Sequence, residues 1–487
     1  MPSSRSARFP ALAVIVVLCL GSLCGALMQS LVIPIQSELP HLLSTDAGSA
    51  SWAITATLLA AAVTMPVTGR LADMFGKKPV MVVSAGILLV GSALAAMSST
   101  LAPFLVGRAL QGIAMGYIPV AISMVREIAP PERRAGAVAA VSATLGVGGA
   151  LGLPLSAWIA QDYSWHGLFW LSTVLAALIL VATAIVVPNV HDAHPAHLDV
   201  VGIIGLAVGL IAVLVGVSKG SEWGWNATST VGAIVGGLVV LVAWGWYELR
   251  HHDPLIDLRT TARRPVLFTN LAAVLIGFGM MAQSIVVPQL LEMPTETGYG
   301  LGQSILHAGL WMAPGGLMMM AFAPVSSALI TRSGARITLA LGALIIGVGY
   351  VVALALMGAP WQLMVASCVV CAGVGIGYAA MPTLIMDNVP PSEAGSGVGV
   401  NALMRSVGTT IAGAVMAAIL TSDTVKFGGA VEIPAKSAFQ LCFIVGAAAA
   451  LAGAAVTLLI PRRSTVTADE TVELREDGTE IGLIAGG

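Results

Sequence analysis

Residues 66–78 read Pro66-Val67-Thr68-Gly69-Arg70-Leu71-Ala72-Asp73-Met74-Phe75-Gly76-Lys77-Lys78 and separate an apolar run at 50–72 from another at 79–98. Each run is long enough to cross roughly 30 Å of hydrocarbon as a helix. The polar stretch between them is therefore a loop at one membrane face. Gly76 permits its tight turn, and Lys77 and Lys78 hold it on the side where cations collect. A second stretch, Pro324-Val325-Ser326-Ser327-Ala328-Leu329-Ile330-Thr331-Arg332-Ser333-Gly334-Ala335-Arg336, occupies the same setting 258 residues later, with Gly334 aligned to Gly76 and Arg336 to Lys78. An independent landmark repeats at almost the same offset: EIAPPERRAG around Pro130-Pro131 resembles DNVPPSEAG around Pro390-Pro391, 260 residues on.

Working outward from these loops, apolar runs of about 20 residues fall at 11–36, 50–72, 79–98, 102–126, 134–160, 165–188, 198–218, 229–248, 266–291, 303–330, 336–357, 361–386, 396–421 and 437–460. Fourteen membrane helices are expected. The repeated loops join spans 2 to 3 and 10 to 11, and the repeated Pro-Pro segments join 4 to 5 and 12 to 13. A shift of eight helices between halves of six leaves two inserted between them. The chain is thus expected to be an all-α polytopic membrane protein, its halves related by a parallel repeat about an axis along the membrane normal. The units are a six-helix half at 1–197, an inserted pair with its linker at 198–264, a second six-helix half at 265–461 and an acidic tail at 462–487 too polar to fold alone.

Composition agrees. Of the 487 residues 57% are hydrophobic and 9% charged, with a mean hydropathy of +0.93, so charged groups are too few to cover a soluble protein of this size. A net charge of -2 provides no basic field for nucleic acid. With the N-terminus placed inside, 18 of the 22 Lys and Arg fall on cytoplasmic segments, which fixes the topology by the positive-inside rule and puts both termini in the cytoplasm. Arg5 and Arg8 precede a run too long for a signal peptide, so it reads as the first span. The five cysteines lie in apolar runs and read as packing residues, the Cys368-x-x-Cys371 spacing included. His191, His194 and His197 read as part of a solvated loop, so no metal site is expected.

Gly69-Arg70-Leu71-Ala72-Asp73-Met74-Phe75-Gly76-Lys77-Lys78 resembles the signature loop of the major facilitator superfamily, except that Met74 stands where the family has a cation. The resemblance implies a transporter and no enzyme. In the loop, Gly69 allows close helix approach, and Asp73 pairs with cations or caps a neighbouring helix N-terminus. With Gly76, Lys77 and Lys78, and with Arg332, Gly334 and Arg336 of the second copy, these residues form a latch that shuts the cytoplasmic side in one conformation. Phe104-Leu105-Val106-Gly107-Arg108-Ala109-Leu110-Gln111-Gly112 resembles the family's Arg motif, which implies a part for Arg108 in proton coupling. Gly146, Gly149, Gly152 and Pro154 resemble the helix-5 motif of antiporters, without its adjacent Gly-Pro pair. Ser164-Trp165-His166-Gly167 resembles the entrance to helix 6 in the fourteen-span drug:proton antiporter branch, with His166 in place of Arg.

Members of that branch carry an Asp in helix 1, and this chain has none there. Among the acids near the bilayer, Glu38, Glu127, Glu292 and Asp387, Glu292 is taken as the proton site, with His307 across the same outer face. Gln29, Gln111, Gln283, Gln289, Trp311, Asn401 and Arg405 are expected to line the substrate cavity, with Met318, Met319 and Met320 as an adaptable wall. Scarcity of midplane acids argues against a permanent cation as substrate. No phosphate loop is encoded, because Gly76-Lys77 is followed by Lys78 rather than Ser or Thr. The expectation is a monomeric, proton-driven exporter of lipophilic small molecules in the cell membrane, with no ATP or other cofactor. A dedicated metabolite or lipid exporter and a non-transporting receptor or docking protein are the alternatives.

Overall fold

A computed structural model describes residues 9–461 apart from Pro34, Ser37, 191–196 and 428–430. The tail at 462–487, Arg5, Arg8, His191 and His194 lie outside the described residues. In chain order the helices are α1 (Ala11–Ser30), a short α2 (Leu39–Leu42), α3 (Ala47–Phe75), α4 (Lys77–Met97), α5 (Leu101–Ala114), α6 (Tyr117–Ile128), α7 (Pro131–Asp162) and α8 (His166–Val186). There follow α9 (Val200–Trp223), α10 (Thr228–Glu248), a short α11 (Leu258–Thr261), α12 (Arg264–Glu292), α13 (Ile305–Ala321), α14 (Ala323–Ala355), α15 (Pro360–Tyr378), α16 (Ala380–Asn388), α17 (Ala394–Ser422) and α18 (Lys436–Leu458).

Among the described residues thirteen helical stretches are long and apolar enough to cross a membrane, α5 with α6 and α15 with α16 each counting as one. The stretch Ile305–Ala355 has 51 residues, about 77 Å at 1.5 Å per residue and more than twice the hydrocarbon thickness. It therefore holds two spans, and the division falls at Gly334, whose φ of 83° and ψ of 156° interrupt α14. Fourteen spans result. Leu12, Val83 and Val242 are 71, 60 and 73% exposed on their surfaces, which only a lipid surround accommodates.

The repeat is written into the backbone. Gly76 has φ 92° and ψ 151°, within ten degrees of Gly334 on both angles, a conformation available essentially to glycine alone. Pro130 and Pro390 start the later landmark at φ -54°, ψ 147° and φ -55°, ψ 150°. A Cβ at Gly334 would meet nothing within 4 Å and one at Gly76 only Pro79 Cδ at 3.8 Å and the Val190 oxygen at 4.0 Å, so substitution costs backbone strain without a clash. Gly76→Ala and Gly334→Ala are each expected to destabilise by about 1–3 kcal/mol. Matched drops in thermal midpoint would check this, and a harmless change at either site would separate the two turns.

Two features depart from the sequence reading. The loop between α17 and α18 carries an antiparallel ribbon, β1 (Thr424–Phe427) paired with β2 (Val431–Pro434), with Thr424 opposite Pro434, so the expectation of helices alone misses eight residues. With four residues in each strand, the ribbon is too short to register beside twenty-residue apolar runs. In addition, the run at 11–36 is helical only to Ser30, and turns lead from there to α2.

α1–α8 form the first half and α12–α18 the second. The inserted helix α9 lies over the line where they meet. Its Leu206, Leu210 and Leu214 cluster with Leu59 and Ala62 of α3 and with Val400 and Leu403 of α17. At one end, Lys219 of α9 donates to the carbonyl of Gly48 at 3.2 Å, to the Ser51 hydroxyl and to Glu222 at 2.8 Å, and its ammonium lies 5.2 Å from the centre of the Trp52 ring. Lys219 is 2% exposed, so these contacts to α3 replace its hydration shell. α10 packs on α9 and otherwise faces outward. Below, the face carrying Pro10 and Pro461 is termed the basic face.

Candidate functional site: a latch and a polar interior

At the basic face α3 of the first half crosses α17 of the second. The crossing is close because both helices present glycine there: a Cβ on Gly69 would lie 2.3 Å from the Gly395 oxygen, and one on Gly399 would lie 2.5 Å from the Met65 oxygen. Just past Gly69, Asp73 reaches the start of α17. Its Oδ1 accepts from the Gly395 N–H at 2.9 Å and its Oδ2 from the Ser396 N–H at 2.7 Å. First-turn amides have no partner within their own helix, and the positive end of the helix dipole favours a carboxylate. Asp73 is 3% exposed, so these charge-assisted bonds lie outside bulk water. Of the two roles the sequence suggested for Asp73, the structure displays capping of a neighbouring helix.

Other residues of this face tighten the join. Lys77 is ion-paired with Glu127, both largely buried, which fastens α4 to α6 within the first half. Arg126 Nη1 donates to the Met386 carbonyl at 2.8 Å, linking α6 to α16 across the halves. Met74 is 5% exposed. Lys78 is half-buried. The second copy is unequal. Thr331 stands where Asp73 does and bonds its own helix, while a Cβ on Gly136 of α7 would lie 3.3 Å from the hydroxyl of Ser327, the counterpart of Gly69. Arg332 is exposed, and Arg336 donates to the Leu458 carbonyl of α18, so neither joins the halves.

Arg108 is 1% exposed in α5. Its Nε donates to Ala53 O of α3 at 3.0 Å, and its Nη1 to Met28 O of α1 at 3.2 Å and to Gln111 Oε1 at 2.5 Å. Gln111 Nε2 then donates to Ser92 Oγ of α4 at 2.9 Å, and Thr57 Oγ1 donates to the Arg108 carbonyl at 3.0 Å. The guanidinium and Gln111 together tie four helices, and among the described residues Arg108 has no carboxylate partner. Gln111, expected at the substrate cavity, belongs to this network. Arg108→Ala would take the donor from the Met28 carbonyl, at about 1–3 kcal/mol, while the Ala53 carbonyl keeps the Thr57 hydroxyl. The expected result is a lower thermal midpoint together with slower transport, a loss that Gln111→Leu should reproduce in part.

The α7 glycines separate by role. Gly146 faces Met319 of α13, whereas Gly152 packs on Ser30 of α1 and has Gly148 beside it, where a Cβ would lie 2.7 Å from Ala26 Cβ. Gly149 faces open space. Pro154 lies inside α7. Met319, one of the expected cavity-wall methionines, is buried packing between α7 and α15, where it approaches Gly375. Glu292 ends α12 and is exposed, and His307 in the first turn of α13 is exposed with its Nδ1 2.7 Å from Ser304 Oγ. Trp311 donates to Gln303 at 3.1 Å, Gln29 is half-buried, Gln283 is buried and Gln289 is exposed. On α17, Asn401 donates to Asn270 Oδ1 of α12 at 3.0 Å, and the Arg405 guanidinium lies 4.4 Å from the centre of the Tyr378 ring. His166 lies against Trp165 with centroids 3.8 Å apart and the rings tilted by 36°, and contacts Ser98 O at 3.2 Å.

The sequence reading passed over Glu127, Asn270 and Tyr378 as partners. Glu127 was visible as an acid beside the Pro-Pro landmark. Nothing in the order of residues ties it to Lys77, Asn270 to Asn401, or Tyr378 to Arg405.

Residues 18–413, and again 271–479, match the Major Facilitator Superfamily. The chain belongs to this superfamily. Among curated relatives, the Multidrug resistance protein B homolog of Mycobacterium tuberculosis is 27% identical over 380 residues, covering 76% of this chain and 69% of that protein. The uncharacterized MFS-type transporter YhcA of Bacillus subtilis is 24% identical over 345 residues, or 70% of this chain and 63% of YhcA. Against two further relatives from Mycobacterium tuberculosis the chain spans 45% of their length. The solved structure of the proton:xylose symporter XylE shares the fold, with a TM-score of 0.64 at 14% identity over 93% of this chain and 96% of that one. Membership in the major facilitator superfamily and the many membrane-spanning helices make the chain a multi-pass membrane protein.

Proposed function

We propose that this chain is a secondary active exporter that exchanges protons for lipophilic or amphiphilic small molecules, with its halves rocking about a midplane site in the cell membrane. The observation that carries the reading is the closure at the basic face: Asp73 on the first turn of α17, over the Gly69–Gly395 contact, bonds one half to the other there. Bonds of this kind, made with bound amides and not within one half, can be broken and remade as the halves rock. The positive-inside rule puts the basic face in the cytoplasm, so the latch closes the inward side. Multidrug resistance among the relatives' names supports a lipophilic cargo. Glu292 and His307 at the opposite face would exchange protons with the outside, and Arg108 would fix the helices through which that change is felt.

A pH gradient of one unit stores about 1.4 kcal/mol per proton, so one-for-one exchange can sustain roughly tenfold accumulation. In proteoliposomes carrying such a gradient, a lipophilic fluorescent probe is expected to accumulate to about that ratio and to relax to equal concentrations when an ionophore collapses the gradient. Accumulation that survives the collapse would remove proton coupling. Glu292→Gln should abolish the gradient dependence while leaving downhill movement. Activity across chemically varied probes separates a broad pump from a dedicated exporter.

A further inference from the structure

The interior of the second half holds a cation whose hydrogen-bonding fork is unused. Arg405 lies eleven residues into α17, about 16 Å along the helix and so near the middle of roughly 30 Å of hydrocarbon. It is 8% exposed, and the face of Tyr378 covers its guanidinium at 4.4 Å. Among the described residues no carboxylate, carbonyl or hydroxyl accepts from it. The contrast with Arg108, whose donors are taken up by Ala53, Met28 and Gln111, is direct. None of the Arg405 nitrogens is among the sealed polar atoms of the chain, so the fork opens on accessible space.

Of the acids toward the basic face, Asp73 is committed to the first turn of α17 and Glu127 to Lys77. One turn toward the basic face, on the same side of α17, Asn401 donates to Asn270, whose Nδ2 is itself a buried donor without a partner. This neighbourhood has a positive charge and an unpaired amide donor, and among the described residues no carboxylate pairs with them.

We propose that Arg405, backed by Tyr378, is the anchoring site for an anionic head group on the transported amphiphile, a carboxylate or sulfonate. A guanidinium stays charged and presents parallel N–H groups at the spacing of two carboxylate oxygens. Stacking on an aromatic face holds its plane and leaves its edge free. Desolvating a lone cation in a membrane protein is unfavourable, and a bound anion offsets that cost while the water-poor surroundings strengthen the pair. The inference rests on the transport reading and narrows its cargo.

The test compares pyrenebutyrate, an anion, with pyrenebutanol, its neutral analogue, by fluorescence anisotropy on the full chain in nanodiscs. Wild-type protein is expected to bind pyrenebutyrate at least about tenfold more tightly, the weight of a hydrogen-bonded charge. Arg405→Gln should erase that margin without changing the affinity for pyrenebutanol. Arg405→Lys, which keeps the charge and loses the fork, should retain part of the margin, and it serves as the readout if Arg405→Gln does not fold. Equal binding of the two probes by wild type, equal weakening of both by Arg405→Gln, or an unaltered margin in Arg405→Lys would overturn the proposal. If the margin holds but neither probe crosses proteoliposomes, the transport reading fails and the site stands. If probes cross and the margin is absent, only the site fails.

Discussion

An Asp73→Ala protein is expected to insert normally and to lose its hold on the latched state. Hydrogen bonds to a charged group are worth about 1.5–3 kcal/mol each, and Asp73 makes two to backbone amides while 3% exposed. Removing both shifts the balance between latched and open states by at least about 3 kcal/mol, or more than a hundredfold in population. A cysteine placed at Ser396, against the five native thiols as baseline, should then react at least about tenfold faster with a membrane-impermeant maleimide from the basic face. Export should slow, because one of the two states that the cycle must visit has become rare. Asp73→Asn keeps an acceptor without its charge and should fall between. Wild-type labelling and wild-type rates in Asp73→Ala would dismiss the latch.

A single methyl group at Gly69 should do more. In helical backbone, Gly→Ala is locally favourable by about 1 kcal/mol. Here the added Cβ would sit 2.3 Å from the oxygen and 2.7 Å from the carbonyl carbon of Gly395. Backbone atoms cannot rotate out of the way, so α3 and α17 must part and Asp73 is drawn off its amides. The two effects have opposite signs and separate readouts. Gly69→Ala should keep helix content and expression, abolish transport to within about a tenth of the wild-type rate, and open the basic face to label. Gly149→Ala is the internal control, because a Cβ there meets nothing within 4 Å. Equal activity in the two variants would show that the crossing does not govern the cycle.

Much of the architecture was legible because membrane spans are long, apolar and closed by a few charges. The two turns were legible for a sharper reason: only glycine tolerates the backbone at Gly76 and Gly334, so the constraint is printed in the sequence at both copies. The division inside Ile305–Ala355 was likewise readable at Gly334, although the helix runs on almost without a break. The candidate site was legible as residues and not as partners. Asp73 stands 322 residues from Gly395, and which end of which helix it caps follows from how the halves dock. Arg108 could be recognised as a buried cation, but the carbonyls that receive it carry no signature because every residue has one. The hairpin at 424–434 escaped for lack of length.

The placement of α9 makes the two flanks of the transporter unlike. Along α3 and α17 the crevice is roofed by Leu206, Leu210 and Leu214, and Lys219 rivets the roof to α3. Along α7 and α13 no such cover lies over Leu151, Leu310 and Leu317, which are 41, 51 and 50% exposed. A molecule dissolved in the bilayer therefore finds one flank walled off and the other bare, so sideways entry from lipid has a handedness that two equal halves alone would not give.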